Sequence, residues 1–323
     1  MSAGPRIGFR CDAGAGSGVG HLVRCVALAE ELRSRGAAAV FLGSVRDSPW
    51  ALSQLRDRDL PLTPAPERPD ALAALARTLA LDAVVLDSYH LPPGTGAELR
   101  RAGLPVLAIV DGDPLGQDAD LYLDQNLGAE RRHFPAGPVL AGARYVLLRD
   151  SVRGRARVRG GGGVPRVLCF FGGTDAAGVV PAWAAALRAT GVPFTATVVS
   201  PVPFEAGGPI EVVPPTDRLP ELMAAADLVV TAAGSAIWEL LHLGVPMALT
   251  WVADNQLLGY DELVGRGVAA GLGGEPGPEA VAVLARLLSD PAAREEHGRR
   301  AGGLVDGRGR ERVADALLAL LPR

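Results

Sequence analysis

Between Arg10 and Arg24 the chain reads RCDAGAGSGVGHLVR. Glycines at 14, 16, 18 and 20 run straight into His21, and Arg24 follows three residues later. Gly18 and Gly20 let the backbone pass close to a ligand with no Cβ in the way. At the start of a helix the macrodipole disfavours an imidazolium. That predicts a neutral His21 near pH 7, fit for general-base work. Arg24, one turn on, is placed to hold a carboxylate or phosphate of a ligand. Asp12 is expected to brace the glycine loop through its backbone N–H groups.

The spacing excludes a dinucleotide fingerprint. G-x-G-x-x-G counted from Gly14 and Gly16 ends on Val19, and counted from Gly16 and Gly18 it ends on His21. The next apolar run, AAAVFLGSV, carries no acidic residue for a ribose. The chain also contains no lysine, so Walker-A phosphate binding and Schiff-base chemistry are excluded. Any phosphate must then be met by backbone N–H groups, hydroxyls or arginine.

Other polar residues close apolar runs. AVVLDSYH ends in Asp87 and Tyr89, on the edge expected to face a ligand, and both are candidate sugar contacts. VDGDP imitates a metal-binding D-x-D with Asp111 and Asp113, but Asp-Gly-Asp-Pro after a strand is expected to be an ordinary turn. No metal-ligand set and no cofactor are expected.

These residues need a frame. The chain has 323 residues, 48% hydrophobic and 21% charged, which fits two soluble domains. A net charge of −4 advertises neither a nucleic-acid groove nor an anionic membrane surface. Three cysteines without C-x-x-C spacing speak for a reducing compartment. With no run of about 20 apolar residues and no leader-like opening, a cytoplasmic location is expected. Short apolar runs alternate with helical patterns throughout, the signature of a parallel sheet covered on both faces. RIGFRC, AAAVFLG, AVVLD, PVLAIV, DLYLD and ARYVLLR read as strands of the first half, and HLVRCVALAEELRSRG as its first helix. Residues 153–165, rich in arginine and glycine, read as a solvated linker. The expected division is thus 1–152, a linker at 153–165, and 166–323, with the last helix packing back on the first domain. Ligands are expected between the two α/β halves.

The ordered motifs resemble one family. RCDAGAGSGVGHLVRCVALAEEL resembles the R-x-D…I-G-x-G-H-x-x-R…L-A opening of the UDP-sugar hydrolases of the pseudaminic-acid pathway. VVLDSYHL, LYLDQNLGAE, YVLLRDSV, CFFGGTD and TAAGSAIWELLHLGVPMALTWVADNQ resemble its later segments, up to Gln256. The resemblance implies the two-lobed GT-B fold and a nucleotide sugar as the small-molecule partner. It implies His21 as the base, water attacking the anomeric carbon and UDP leaving, with the sugar a modified amino or deoxy sugar. A GT-B glycosyltransferase using the same base on an acceptor hydroxyl is the alternative. By the same resemblance Gly172, Gly173 and Thr174 form a loop over the diphosphate. Gly234 and Ser235 meet a phosphate before a helix, Glu239 binds the ribose, and Asn255 and Gln256 face the ligand. His242 and Trp238 are expected to be structural. The chain departs from the family at Ser88, where many members have histidine, and in the loop GAGSGVG; both positions are expected to line the sugar pocket.

Overall fold

A computed structural model describes residues 4–14, 18–134, 136–158, 160 and 163–322. Gly16 and Ser17 of the glycine loop lie outside them. The chain divides into two compact units, residues 1–150 with 307–323, and residues 151–306.

In the first unit the strands are β1 (Arg6–Cys11), β2 (Ala13–Gly14), β3 (Ala38–Leu42), β4 (Val45–Arg46), β5 (Leu62–Thr63), β6 (Ala83–Asp87), β7 (Val106–Ile109), β8 (Leu121–Asp124) and β9 (Val139–Ala141). Seven of them form one sheet in the order β5-β3-β1-β6-β7-β8-β9, and β2 pairs with β4 beside it. The pairs are parallel, with Cys11 opposite Asp87 in the β1–β6 register. Helices α1 (Gly20–Ser34), α2 (Pro49–Arg56), α3 (Pro69–Thr78) and α4 (Thr95–Arg101) connect them. Period-2 alternation assigns the two faces. Ile7, Phe9, Cys11, Val85 and Leu107 pack with α1, while Leu42, Val84, Leu86 and Val106 pack with α3 and α4.

α1 is buried on more than one side: Leu22, Arg24, Cys25, Val26, Leu28, Glu31 and Leu32 are all buried. The reason is the last helix of the chain, whose Val313, Ala314 and Leu317 join the same core. Its Arg310 reaches Glu30 at 3.1 Å and Glu31 at 3.2 Å on α1, and also pairs with Asp150.

Helix α5 (Asp150–Arg153) begins on the last residue of the first unit's long segment; the second unit then holds β10 (Arg166–Phe170), α6 (Val180–Ala189), β11 (Thr195–Val199), β12 (Ile210–Val213), α7 (Leu219–Ala225) and β13 (Leu228–Ala232). α8 (Ile237–Leu243), β14 (Met247–Thr250), α9 (Leu257–Gly265), β15 (Ala270–Gly271), α10 (Pro278–Ser289) and α11 (Pro291–Ala301) follow, before α12 (Gly309–Leu318) returns to the first unit. Its sheet is parallel, in the order β12-β11-β10-β13-β14-β15. Two segments differ from the sequence reading. ARYVLLR is not a strand: Ala143–Tyr145 is a single 3-10 turn, and the edge strand lies just before it, at β9. The arginine-rich segment does not hang free either. Arg155 pairs with Glu221 at 2.9 Å, Arg157 donates to the Gly244 carbonyl at 2.9 Å, and the Val158 amide donates to the Ala224 carbonyl at 2.8 Å. Arginines here satisfy a carboxylate and the carbonyl end of α8. Arg159, Gly161 and Gly162 lie outside the described residues.

Candidate functional site

The parallel register places the carboxyl ends of β1, β6, β7 and β8 side by side, and polar residues collect there. The turn into α1 is made by the glycines: Gly14 and Gly18 exchange two backbone hydrogen bonds, at 3.1 and 2.9 Å. Gly18 holds φ +72°, a conformation that suits glycine. Gly20 opens α1 and His21 is its second residue.

His21 Nδ1 lies 2.9 Å from the Asp87 carbonyl oxygen and 3.0 Å from Asp87 Oδ1. Both neighbours are acceptors, so Nδ1 carries the proton and Nε2 carries the lone pair. The Tyr89 ring stands edge-on to the imidazole, centroids 4.6 Å apart. Asp87 is wholly buried and saturated with donors. Arg24 grips it through Nε at 2.7 Å and Nη2 at 2.6 Å, and the Cys25 thiol adds a contact at 3.5 Å. The same guanidinium reaches Asp111 at 3.3–3.4 Å. Asp111 also accepts from Tyr89 OH and from Asn126 Nδ2, the latter at 2.9 Å. The contacts close into a ring: His21, Asp87, Arg24, Asp111, Tyr89 and back to His21.

Electrostatics follows from this packing. Burial pushes the His21 pKa down, but the charge and hydrogen bond of Asp87 outweigh burial and the opposing Arg24 charge, so it rises above 6.5. His21 does lie at the start of the helix, as expected, but the Asp87 carboxylate beneath it favours the charged form and opposes the expected neutrality. Burial pushes Asp87 up, yet Arg24 and then His21 hold it far below the ordinary carboxylate range. Asp111, also penalised by burial, is held low by Arg24, Tyr89 and Asn126.

Two further expectations need correcting. Arg24 is 6% exposed, and its fork is taken by protein carboxylates, so it is not offered to a ligand phosphate. Asp12 does not brace the glycine loop among the described residues. It accepts from Arg10 Nη1 at 2.6 Å, from the Ser44 amide at 2.9 Å and from the Ser44 hydroxyl at 3.3 Å, tying β1 to the segment after β3. Gly43 makes that tie possible: a Cβ there would lie 2.2 Å from the Cys11 carbonyl oxygen and 2.8 Å from Asp12 Oδ1.

Asp111 and Asn126 were not singled out from the sequence as site residues. Only half of Asp-Gly-Asp-Pro is the expected turn: Asp113 Oδ1 accepts from the Leu115 amide at 2.7 Å, while Asp111 faces Arg24. The signal available was positional. Asp87, Asp111 and Asn126 each follow an apolar run at the carboxyl end of consecutive parallel strands, where open α/β sheets place their ligands.

In the second unit, Gly172, at φ +76°, Gly173 and Thr174 follow β10 as expected. The next helix end is already occupied, since Asp175 accepts from the Val179 and Val180 amides at 3.1 and 3.2 Å. Gly234 and Ser235 follow β13, and their carbonyls accept from the Ile237 and Trp238 amides at 3.1 and 3.3 Å, so those two N–H groups are spent within the turn. Glu239 is 5% exposed and thus is no solvated helical face. Gln256 Oε1 accepts from the Val252 amide at 3.0 Å, and a Cβ on Gly234 would lie 3.6 Å from its Nε2. Gly234 and Gln256 are therefore neighbours, while Asn255 is exposed on the same 3-10 turn. His242 Nδ1 meets the Val305 carbonyl at 3.1 Å, and Trp238 is in the core. Among the described residues no three of His, Cys, Asp and Glu gather as a metal site, and no helix is long and apolar enough to cross a membrane.

Residues 191–256 match the glycosyltransferase family 28 C-terminal domain. The chain is 31% identical, over 353 aligned positions covering 93% of each chain, to a UDP-N-acetylglucosamine–N-acetylmuramyl-(pentapeptide) pyrophosphoryl-undecaprenol N-acetylglucosamine transferase of Clavibacter michiganensis. An uncharacterized Methanocaldococcus jannaschii protein is 21% identical over 80% of this chain, which spans 58% of that protein's length. Among solved structures, Acinetobacter baumannii MurG superposes with a TM-score of 0.69 at 18% identity, covering 98% of this chain and all of that one. The fold is therefore GT-B. These likenesses support a glycosyltransferase-type enzyme and carry nothing specific to the hydrolases that the opening motif resembles.

Proposed function

Because the chain belongs to the GT-B glycosyltransferase family that includes the Clavibacter N-acetylglucosamine transferase, we propose that it transfers a glycosyl group from a nucleoside diphosphate sugar, a UDP-sugar, to an acceptor hydroxyl deprotonated by His21. The observation that carries this is the His21–Asp87 pair, with Nδ1 held by the carboxylate and carbonyl so that Nε2 is left as the base. The acceptor oxygen attacks the anomeric carbon as its proton passes to Nε2. The bond from that carbon to the diphosphate oxygen breaks, and the electron pair leaves with the nucleoside diphosphate. Proton transfer of this kind contributes about 10²–10⁴-fold.

The nucleotide half of the reaction falls to the second unit. Gly172, Gly173 and Thr174, with Gly234 and Ser235, would meet the diphosphate. Glu239 would meet the ribose hydroxyls, and Asn255 and Gln256 would complete the contact. Glu239→Gln keeps the side-chain volume and removes a charged acceptor. It is expected to weaken nucleoside-diphosphate binding by about 10-fold or more, the worth of one hydrogen bond to a charged group, as read by calorimetric titration.

A second reading puts water in the acceptor's place. It is favoured by one observation: three segments that resemble the sugar-nucleotide hydrolases bring His21, Asp87, Tyr89 and Asn126 into a single cluster. One assay separates the two. Incubation with a panel of UDP- and dTDP-sugars is followed by free nucleoside diphosphate, with and without acceptor alcohols. Release that depends on an acceptor supports transfer, and full release in buffer alone replaces it with hydrolysis.

A further inference from the structure

The ring of contacts contains one charge too many for a device meant only to orient an imidazole. Asp87 alone would fix His21 Nδ1, yet the buried Arg24 and a second, half-buried carboxylate, Asp111, are packed against it. We propose that Arg24 is a positioning residue for the base rather than a ligand contact: it locks the Asp87 carboxylate against His21 Nδ1 and offsets negative charge that would otherwise favour the protonated imidazole. This rests on the reading of His21 as the base.

The geometry and the charge count agree. Arg24 makes a two-pronged contact with Asp87, Nε to Oδ2 at 2.7 Å and Nη2 to Oδ1 at 2.6 Å, so the carboxylate cannot turn away from His21. The groups around the imidazole are Asp87 from the end of β6, Arg24 from its own helix, Tyr89 from the loop after β6, and behind them Asp111 and Cys25. Two carboxylates without the guanidinium would favour the imidazolium more strongly, and that form cannot accept a proton. With the guanidinium present, the cluster carries one net negative charge while His21 is neutral. It becomes neutral when His21 takes the acceptor's proton. The transition state is therefore favoured by an environment that does not stabilise the protonated ground state in excess. Asp111 divides the Arg24 charge between two carboxylates, and so sets how much of it opposes His21.

The sign of each charge change is fixed by this arrangement. His21 must be deprotonated to act, so the rate falls on the acid side of its pKa. In the wild-type protein that acid limb is expected above pH 6.5, the ordinary histidine value. Arg24→Gln removes the positive charge and should move the limb up by about one pH unit. Asp111→Asn leaves the Arg24–Asp87 fork intact, frees more of the Arg24 charge and should move the limb down. Arg24→Lys keeps the charge without the fork, so kcat should fall while the limb stays near its wild-type position. The experiment is the pH profile of kcat/KM for these variants and the wild type, with far-UV circular dichroism to report folding. If Arg24→Gln does not fold, Asp111→Asn decides the matter alone. A limb that stays in place in both neutralising variants overturns the proposal. A wild-type profile with no acid limb overturns instead the reading of His21 as the base, so the two failures are told apart.

Discussion

His21→Ala is expected to lower kcat by about 10²–10⁴-fold, the usual worth of a positioned general base, while nucleoside-diphosphate affinity changes little. The separation follows from where the groups lie. His21 belongs to the first unit, and the residues assigned to the nucleotide belong to the second. His21→Gln sharpens the point, because its amide can still donate to Asp87 but offers no basic nitrogen. It should fold like the wild type and be nearly as inactive as the alanine variant. Nucleoside-diphosphate release at saturating donor, alongside a binding isotherm, measures both quantities. Turnover close to wild type in either variant would remove His21 from the chemistry, whichever nucleophile the enzyme uses.

Much of the first-unit cluster could be read from the chain before folding. Glycines leading into a histidine mark a tight strand-to-helix turn, because only a backbone free of Cβ makes it. Asp87 announced itself by ending a strand, and Tyr89 by following it in the next loop. The role of Arg24 was not legible, because i,i+3 spacing says which helix face a residue shares but not what lies under that face. The parallel β1–β6 register, with Cys11 opposite Asp87, puts a carboxylate there instead of a ligand. Asp111 was hidden for a related reason: Asp-Gly-Asp-Pro has turn chemistry, and one of its two aspartates does make a turn. Asn126 reaches Asp111 across 15 residues of chain, a contact no local pattern encodes. The return of α12 to the first unit was expected, but no motif or spacing in the chain carried that expectation. Val313, Ala314 and Leu317 bury the helix in the core of that unit, and the Arg310 charge is matched there by Glu30, Glu31 and Asp150.

Asp87→Ala is expected to cost the first unit about 3–5 kcal/mol, because it strands Arg24 in the core with its bidentate partner gone. Arg24 is buried where α1 meets the sheet edge, and its remaining contacts, to Asp111, are the longer ones at 3.3–3.4 Å. Asp87 itself accepts four contacts, from His21 Nδ1, two Arg24 nitrogens and the Cys25 thiol. Its folded-state pKa is depressed, so this stabilisation is present at neutral pH and fades only on acidification below the ordinary carboxylate range. At about 2–4 °C per kcal/mol for a unit of this size, the thermal midpoint should fall by roughly 6–20 °C. The double variant Asp87→Leu with Arg24→Met tests whether the loss comes from the stranded charge. Replacing both members of a buried pair by apolar groups of similar volume is often neutral or stabilising, so most of the lost midpoint should return. Activity should not return, since His21 then has no carboxylate to orient it. A double variant as unstable as Asp87→Ala would mean that the stability came from the geometry of the carboxylate and not from neutralising Arg24.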